Sequence, residues 1–365
     1  MKKTGIYIHI PFCAKKCPYC DFYSRSGTDK LYNEYSAALA ERIRTSPYIG
    51  KYQADTLYFG GGTPSLLGAE RIGRLIGAVK EGFAPESDFS EVTVEVNPTG
   101  EFDYALLREK GADRISIGLQ SANDSELEFL GRQHTCAQAA NHIEQARKAG
   151  FENISLDLMI ALPGQTKEKL KRSVEFCISQ GAAHISAYIL KIEQGTLFYR
   201  RRNSLELPDE DRTAEMYEYL CSLMKQYGYE HYEISNFCRR GFEGKHNLKY
   251  WHDEEYIGFG PSAHSFIDGR RSYCPRSMDE FKAGTVIDDG EGGSEEEYIM
   301  LALRLSEGVQ RKAYSQRFGT ELPEKYLIRC APLEKAGLIR ITEEGFSLTE
   351  KGFLLSNAVI AKIIY

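Results

Sequence analysis

The sequence predicts an α/β fold, a partial (β/α)6 barrel followed by a small C-terminal α+β unit of winged-helix-like type. Three observations lead there. Six short apolar runs alternate with amphipathic stretches through the first half of the 365 residues, the pattern left by parallel strands with right-handed helical crossovers. Polar or glycine positions (His9, Gly60 to Gly62, Glu95, Asn97 and Gln120) fall where those strands should end, and a (β/α) barrel assembles its site at that rim. Beyond about residue 195 the alternation gives way to helices and short hairpin-like runs.

The expected strands are 5–10, 56–60, 91–97, 114–120, 154–160 and 184–190, short apolar runs rich in β-branched residues. Between them, 31–44, 70–83, 104–110, 137–149 and 167–180 space their apolar residues as helices do. Six units are too few for a closed eight-unit barrel, so an open one is expected. Residues 198–208 are basic and then turn-rich, 209–227 read as a helix, and 229–235 alternate as a strand. The acidic, glycine-rich GTVIDDGEGGS at 284–294 reads as a linker. Past it come helical segments, a hairpin in LIRITEEGFSLTEKG, and a last helix. The chain therefore divides into 1–195, the barrel with its site, 196–283, an extension carrying HNLKYW, and 294–365, the winged-helix-like domain.

Composition narrows the function. Hydrophobic residues at 42% and charged residues at 27% describe a globular protein able to bury a large core. The net charge of −6 gives no overall attraction to nucleic acid or an anionic membrane. Residues 294–365 hold ten Lys+Arg against ten Asp+Glu, so the C-terminal domain is expected to meet protein or act as a lid and not to read DNA. No apolar run approaches the ~18–20 residues that span a bilayer. MKKTGIYIHIPFC lacks the apolar region of a signal peptide, so a cytoplasmic location is expected. Nine cysteines, three of them within eight residues, point in a reducing compartment to a metal or cluster site instead of disulfides. Cys136, Cys177, Cys221, Cys238, Cys274 and Cys330 are scattered and expected to be apolar fillers.

The sharpest signal is HIPFCAKKCPYCDF, where Cys13, Cys17 and Cys20 follow a strand with Cys-x3-Cys-x2-Cys spacing and Pro11 and Pro18 stiffen the loop. A cubane iron–sulfur cluster normally takes four thiolates. Three leave one iron open to chelate the amino and carboxylate groups of S-adenosylmethionine. Zinc on the three thiolates plus His9 or a distant histidine is the rival, although structural zinc sites usually show a second ligand pair and none is present. GFGPSA at 258–263 imitates a dinucleotide fingerprint. It lacks the βαβ setting and ribose-binding acid, and its proline removes an amide donor.

YIHIPFCAKKCPYCDF, together with GGGTPS at 60–65, VEVNP, ISIGLQS, LGRQH and SLDLMIALPGQT, resembles the radical-SAM superfamily and its coproporphyrinogen III oxidase-like branch, over at least residues 5–265. The resemblance implies a [4Fe-4S] cluster on Cys13, Cys17 and Cys20. It also implies S-adenosylmethionine contacts from Tyr7, Tyr19, Gly61, Gly62, Thr63, Glu95, Gln120, Arg132 and Asp157. Glycines let backbone amides approach the ligand's carboxylate, while acids and amides suit its ammonium group and ribose hydroxyls.

Two departures set the chain apart from the oxidases of that branch. Phe22 stands where they place a fourth cysteine, and few residues precede the first expected strand, where they carry a long extension. HNLKYW at 246–251 is similar to the His-Asn-x-x-Tyr-Trp motif of HemW-type haem chaperones. That likeness implies haem as cargo, with His246 as axial ligand, Asn247 orienting its ring, and Tyr250 and Trp251 stacking on the porphyrin. Without the likeness, a histidine beside two aromatics is commonly core packing. His231, His252 and His264 are alternative ligands. Implied partners are haem-accepting proteins, among them respiratory membrane complexes met peripherally, and a second copy in a homodimer; nucleic acid is not one. The alternative function is SAM-dependent decarboxylation of coproporphyrinogen III to protoporphyrinogen IX, and a radical-SAM enzyme with another substrate is a third.

Overall fold

A computed structural model describes all 365 residues. The first half runs β1 (Lys2–Ile10), α1 (Asp29–Arg44), β2 (Tyr52–Gly61), α2 (Ala69–Phe83), β3 (Glu91–Val96), α3 (Tyr104–Glu109), β4 (Arg114–Gln120), α4 (Asp124–Phe129), α5 (Cys136–Lys148), β5 (Asn153–Ile160), α6 (Lys167–Ser179) and β6 (His184–Ile189). These six strands pair in parallel in sequence order and form the expected partial (β/α)6 barrel. Of these elements only α4 was not anticipated; its six residues are too few to show a helical period. Helix starts follow capping chemistry: Thr28, Asp103, Thr135 and Thr166 each accept a hydrogen bond from a first-turn amide, and Gln138 completes a capping box with Thr135.

Each strand has two unlike faces. Ile6, Ile8, Ile10, Leu57, Phe59, Val92, Val94, Ile115 and Ile117 point outward and are sealed beneath the helices in a core of 71 buried residues. The alternate positions, which face the barrel interior, carry Tyr7, His9, Thr56, Tyr58, Thr93, Glu95, Ser116, Asp157, His184 and Ser186. A parallel sheet ordinarily buries apolar residues on both faces. Here the inner face is a polar column whose members satisfy one another, as Ser116 does Asp157 (2.9 Å) and Ser155 does His184 (2.8 Å).

The middle of the chain widens the sheet on both sides. It contains α7 (Leu197–Arg201), α8 (Glu210–Gln226), β7 (Glu230–Glu233), β8 (Asn236–Cys238), α9 (Lys245–Trp251), β9 (Tyr256–Phe259), β10 (His264–Ile267), β11 (Arg270–Tyr273), α10 (Met278–Ala283) and β12 (Ile287–Glu291). The full order is β12-β11-β10-β9-β1-β2-β3-β4-β5-β6-β8-β7. Residues 284–294 are therefore not a linker: Ile287 pairs with Tyr273, Asp288 with Ser272 and Glu291 with Arg270. Acids and glycines persist there because an edge strand exposes its side chains to water, where charge discourages further pairing. The middle unit accordingly reaches Glu291. Most of GFGPSA lies between antiparallel β9 and β10, with no helix following.

The C-terminal unit comprises α11 (Glu295–Ala302), β13 (Val309–Gln310), α12 (Arg311–Phe318), α13 (Glu324–Lys335), β14 (Ile339–Ile341), β15 (Gly345–Leu348), α14 (Glu350–Leu354) and α15 (Ser356–Ile364), with a small β13-β15-β14 sheet. It is tied to the barrel by the Ile234 amide donating to the Arg304 carbonyl (2.9 Å) and by buried Asp253, which holds both Arg271 and Arg317. No helix is long and apolar enough to cross a membrane. Cys177, Cys221, Cys238 and Cys330 are buried, as fillers would be.

Candidate functional site

The loop after β1 carries the three cysteines. Its path is fixed by the Cys13 amide donating to the Arg25 carbonyl (3.0 Å) and the Arg25 amide to the Pro11 carbonyl (2.9 Å). All three thiols are free and half-buried, and they line one cavity of 350 Å³ at the strand rim. Tyr19, Gly61, Gly62, Thr63, Glu95, Gln120, Arg132 and Asp157 line the same cavity. Tyr7 does not: it packs on Tyr58 (6.2 Å between centroids), and its hydroxyl meets His9 Nδ1 at 3.1 Å.

A chain of hydrogen bonds runs behind the thiols. Thr63 Oγ1 donates to Cys13 Sγ (3.5 Å), and Asn97 Nδ2 donates to Thr63 Oγ1 (2.8 Å). Arg132 Nη2 donates to Asn97 Oδ1 (2.7 Å) and to the Gly118 carbonyl (2.8 Å), while Nη1 reaches Cys17 Sγ at 3.7 Å. Cys13 and Cys17 are thus held by one polar relay through Asn97. The glycines serve differently from expectation. The Gly62 amide donates to the Ile10 carbonyl (2.8 Å) and the Thr63 amide to the Phe12 carbonyl (2.7 Å), so neither is free for a ligand carboxylate. A Cβ on Gly62 would lie 2.6 Å from the Phe12 carbonyl oxygen. The run lets β2 close against the cysteine loop. Gln120 adopts φ 68° at the end of β4, an uncommon conformation for a non-glycine residue that costs about 1–3 kcal/mol and turns the chain where its side chain meets the cavity.

The electrostatics favour a cationic guest. Burial pushes the Glu95 carboxyl up to about 7, with nearby Asp157 raising it further against the stabilising bond from Tyr58. Burial likewise raises Asp157, opposed by Ser116 and Ser186. Two carboxyls made reluctant to ionise by burial gain from an ammonium or sulfonium beside them. His9 has both ring nitrogens engaged, Nδ1 by Tyr7 and Nε2 by the Tyr23 carbonyl (3.0 Å). Burial lowers it to about 4, so it is a neutral structural group. No three His, Cys, Asp or Glu side chains converge closely enough to hold a single metal ion. A cubane, whose thiolates bind separate irons, needs no such convergence. Three thiols at the mouth of a cavity with a paired-carboxyl wall suit a cluster and a sulfonium amino acid together.

The HNLKYW motif lies at the opposite end of the barrel. The amides of Lys245 and His246 donate to Glu91 (2.9 and 3.2 Å), which seats α9 under the strand starts. His246 is fully buried. Its Nδ1 pairs with Thr56 Oγ1 at 2.9 Å and its Nε2 with the Tyr250 hydroxyl at 2.8 Å. Burial, then Lys249 and Arg114, lower its pKa to about 3. Gly5 makes room for the ring, since a Cβ there would stand 3.0 Å from His246 Cε1. Thr56 and Tyr250 orient the imidazole, the task expected of Asn247. Trp251 is half-buried near Glu233. Of the alternative histidines, His231 is stacked on Phe237 at 4.3 Å, His252 pairs with Glu307 at 3.1 Å, and His264 stacks on Tyr273 at 5.3 Å.

Tyr58, unassigned from sequence, joins the two ends: its hydroxyl donates to Glu95 Oε1 (2.8 Å) and its ring lies 5.3 Å from that of His246. Strand alternation was the available signal, because it puts Tyr58 on one face with Thr56 and Gly60.

The family model of the radical SAM superfamily matches residues 7–177, and that of the HemN C-terminal domain matches 296–355. The heme chaperone HemW of Bacillus subtilis is 38% identical, covering 98% of each chain. The heme chaperone HemW of Lactococcus lactis is 36% identical over 100% of this chain and 98% of its own. Among solved structures, the coproporphyrinogen III oxidase HemN of Escherichia coli superposes with a TM-score of 0.83 at 22% identity, covering 100% of this chain and 90% of that one. At that identity the likeness is one of fold.

Proposed function

The chain belongs to the radical SAM superfamily and, within it, to the HemW family, and from that premise we propose that it is a haem chaperone, binding haem and giving it to haem-requiring proteins. The observation that carries this reading is the likeness to named haem chaperones along the whole chain, at 38% identity over 98% of each. Cys13, Cys17 and Cys20 would hold the [4Fe-4S] cluster, and Glu95, Gln120, Arg132 and Asp157 would surround S-adenosylmethionine. When bound, such a cluster can supply an electron to the sulfonium. The chain's own part is positional: the Thr63–Asn97–Arg132 relay holds two thiols in place, and the buried carboxyls receive positive charge.

His246 enters the reading as the axial ligand of haem. Both its ring nitrogens are occupied in this structure, so ligation requires the Tyr250 hydroxyl to give up Nε2. The test is a haem titration of the cluster-loaded wild type, His246→Ala and Tyr250→Phe, followed by absorbance. His246→Ala is expected to shift the Soret band and weaken binding at least about tenfold. Tyr250→Phe should tighten it by roughly threefold to tenfold, because one hydrogen bond of about 1 kcal/mol no longer competes. Unchanged spectra and affinity in both variants would remove His246 from this role. A wild type that binds no haem, or that converts coproporphyrinogen III anaerobically with S-adenosylmethionine, would overturn the chaperone reading.

A further inference from the structure

A second cavity, of 480 Å³, lies on the other side of the cluster loop. Cys17 and Cys20 line both cavities, so the loop is the wall between them. Its other wall is α7, capped by Thr196 and fastened by the Phe198 amide donating to the Pro18 carbonyl (2.9 Å). The floor is aromatic. Phe198 is buried against Phe129 (5.0 Å) and Tyr19 (6.3 Å), with Leu197 exposed at the lip. The rim is cationic: Lys15 and Lys16 project from the loop, Arg200 and Arg201 from α7, and all four are exposed.

None of these four cations forms an ion pair, and Glu128 is the sole acid of the lining. In a chain of net charge −6, four positive charges around one mouth, facing the single acid Glu128, repel one another. An apolar floor beneath a cationic rim complements an amphiphile that is flat and apolar in its body and carries carboxylates along one edge. The volume lies within the ~300–1,000 Å³ of ligand cavities. Haem has that chemistry in its ring and two propionates.

We propose that the cavity between the cluster loop and α7 is where haem is captured, its propionates against Lys15, Lys16, Arg200 and Arg201 and its ring over Leu197 and Phe129. This inference rests on the haem reading above and adds to it a separate recognition site. Capture at this mouth needs no iron ligand, whereas His246 lies at the far end of the barrel. Recognition of the porphyrin and ligation of its iron are therefore distinct steps.

Metal-free protoporphyrin IX isolates the first step, because it has propionates and ring but no iron. Its fluorescence would be followed on titration into the anaerobically cluster-loaded full chain, alongside its dimethyl ester, at low and high salt. The wild type is expected to bind the diacid at least about tenfold more tightly than the ester, with affinity falling as salt rises. The double variant Arg200→Glu/Arg201→Glu should lose that preference and most of the salt dependence, while His246→Ala should bind the diacid as the wild type does. A Lys15→Gln/Lys16→Gln variant, checked like the first for iron content and far-ultraviolet circular dichroism, gives the same answer from the opposite wall. If the wild type takes up haem but binds diacid and ester alike, or if both double variants match the wild type, the capture site is overturned and the chaperone reading stands. If the wild type takes up neither haem nor porphyrin, the chaperone reading falls, and this inference with it.

Discussion

At the rim of the barrel Cys13, Cys17 and Cys20 stand half-buried around a 350 Å³ cavity, and Glu95 and Asp157 face it with their charge suppressed by burial. At the other end His246, Thr56, Tyr250 and Glu91 close upon one another, and the histidine has neither surface nor a spare nitrogen. Both ends draw on the same polar inner face of the same strands, yet only the rim keeps free thiols and an open cavity beside them. A buried polar group unmatched within the protein is available to a guest, whereas a matched one is part of the fold. The rim is therefore open to a guest as it stands, whereas the base is closed upon itself.

The largest expected effect lies at the rim. Cys17→Ala should abolish the iron–sulfide absorbance after anaerobic loading and cut the iron and sulfide recovered by several-fold, since two thiolates cannot anchor the cubane. Its folding should be little altered, because the thiol is only half-buried. Retention of the full chromophore would mean that the three cysteines are not the ligand set.

The base should behave in the opposite sense, with stability as the sensitive quantity. His246→Ala leaves Thr56 and Tyr250 without partners and a gap against Tyr58. A loss of about 2–4 kcal/mol is expected in urea unfolding of the unloaded protein, with cluster loading preserved. A variant as stable as the wild type would show that α9 already sits loosely, and the contrast between the ends would vanish.

The smallest effect is confined to pH. Folding raises the Glu95 pKa to about 7 from an ordinary 4.5, so the folded state prefers the neutral acid. That preference contributes fully below the unfolded pKa and is lost as pH rises from 4.5 through 7. Glu95→Gln, which cannot ionise, should gain on the wild type over that window by roughly 1–3 kcal/mol, read as a difference in Tm between pH 5 and pH 8 without ligand. A pH-independent difference would mean that the carboxyl is already ionised and solvated.

Much of this was legible in the sequence because it is written in local spacing. The Cys-x3-Cys-x2-Cys loop and the six strands needed only neighbours a few residues apart, and every rim residue expected around S-adenosylmethionine lines the cavity except Tyr7. What misled was composition read without partners. GTVIDDGEGGS has the chemistry of a linker, and it became β12 because Tyr273, Ser272 and Arg270 offered it an edge to pair with. Gly62 and Thr63 read as part of a ligand cradle, but their amides are taken by the Ile10 and Phe12 carbonyls.

The sequence alone determined the parallel strand order, the cysteine loop and the residues of the rim, because alternation, turn residues and closely spaced thiols act within one or two elements. The tertiary structure alone decided that HNLKYW seals the base of the barrel and that four cations gather around an aromatic hollow beside the cysteine loop. Those outcomes join residues such as Thr56 and His246, or Lys16 and Arg200, which are far apart in the chain and meet only when the sheet curls. No local pattern encodes which polar groups will find one another there and which will be left with capacity to spare.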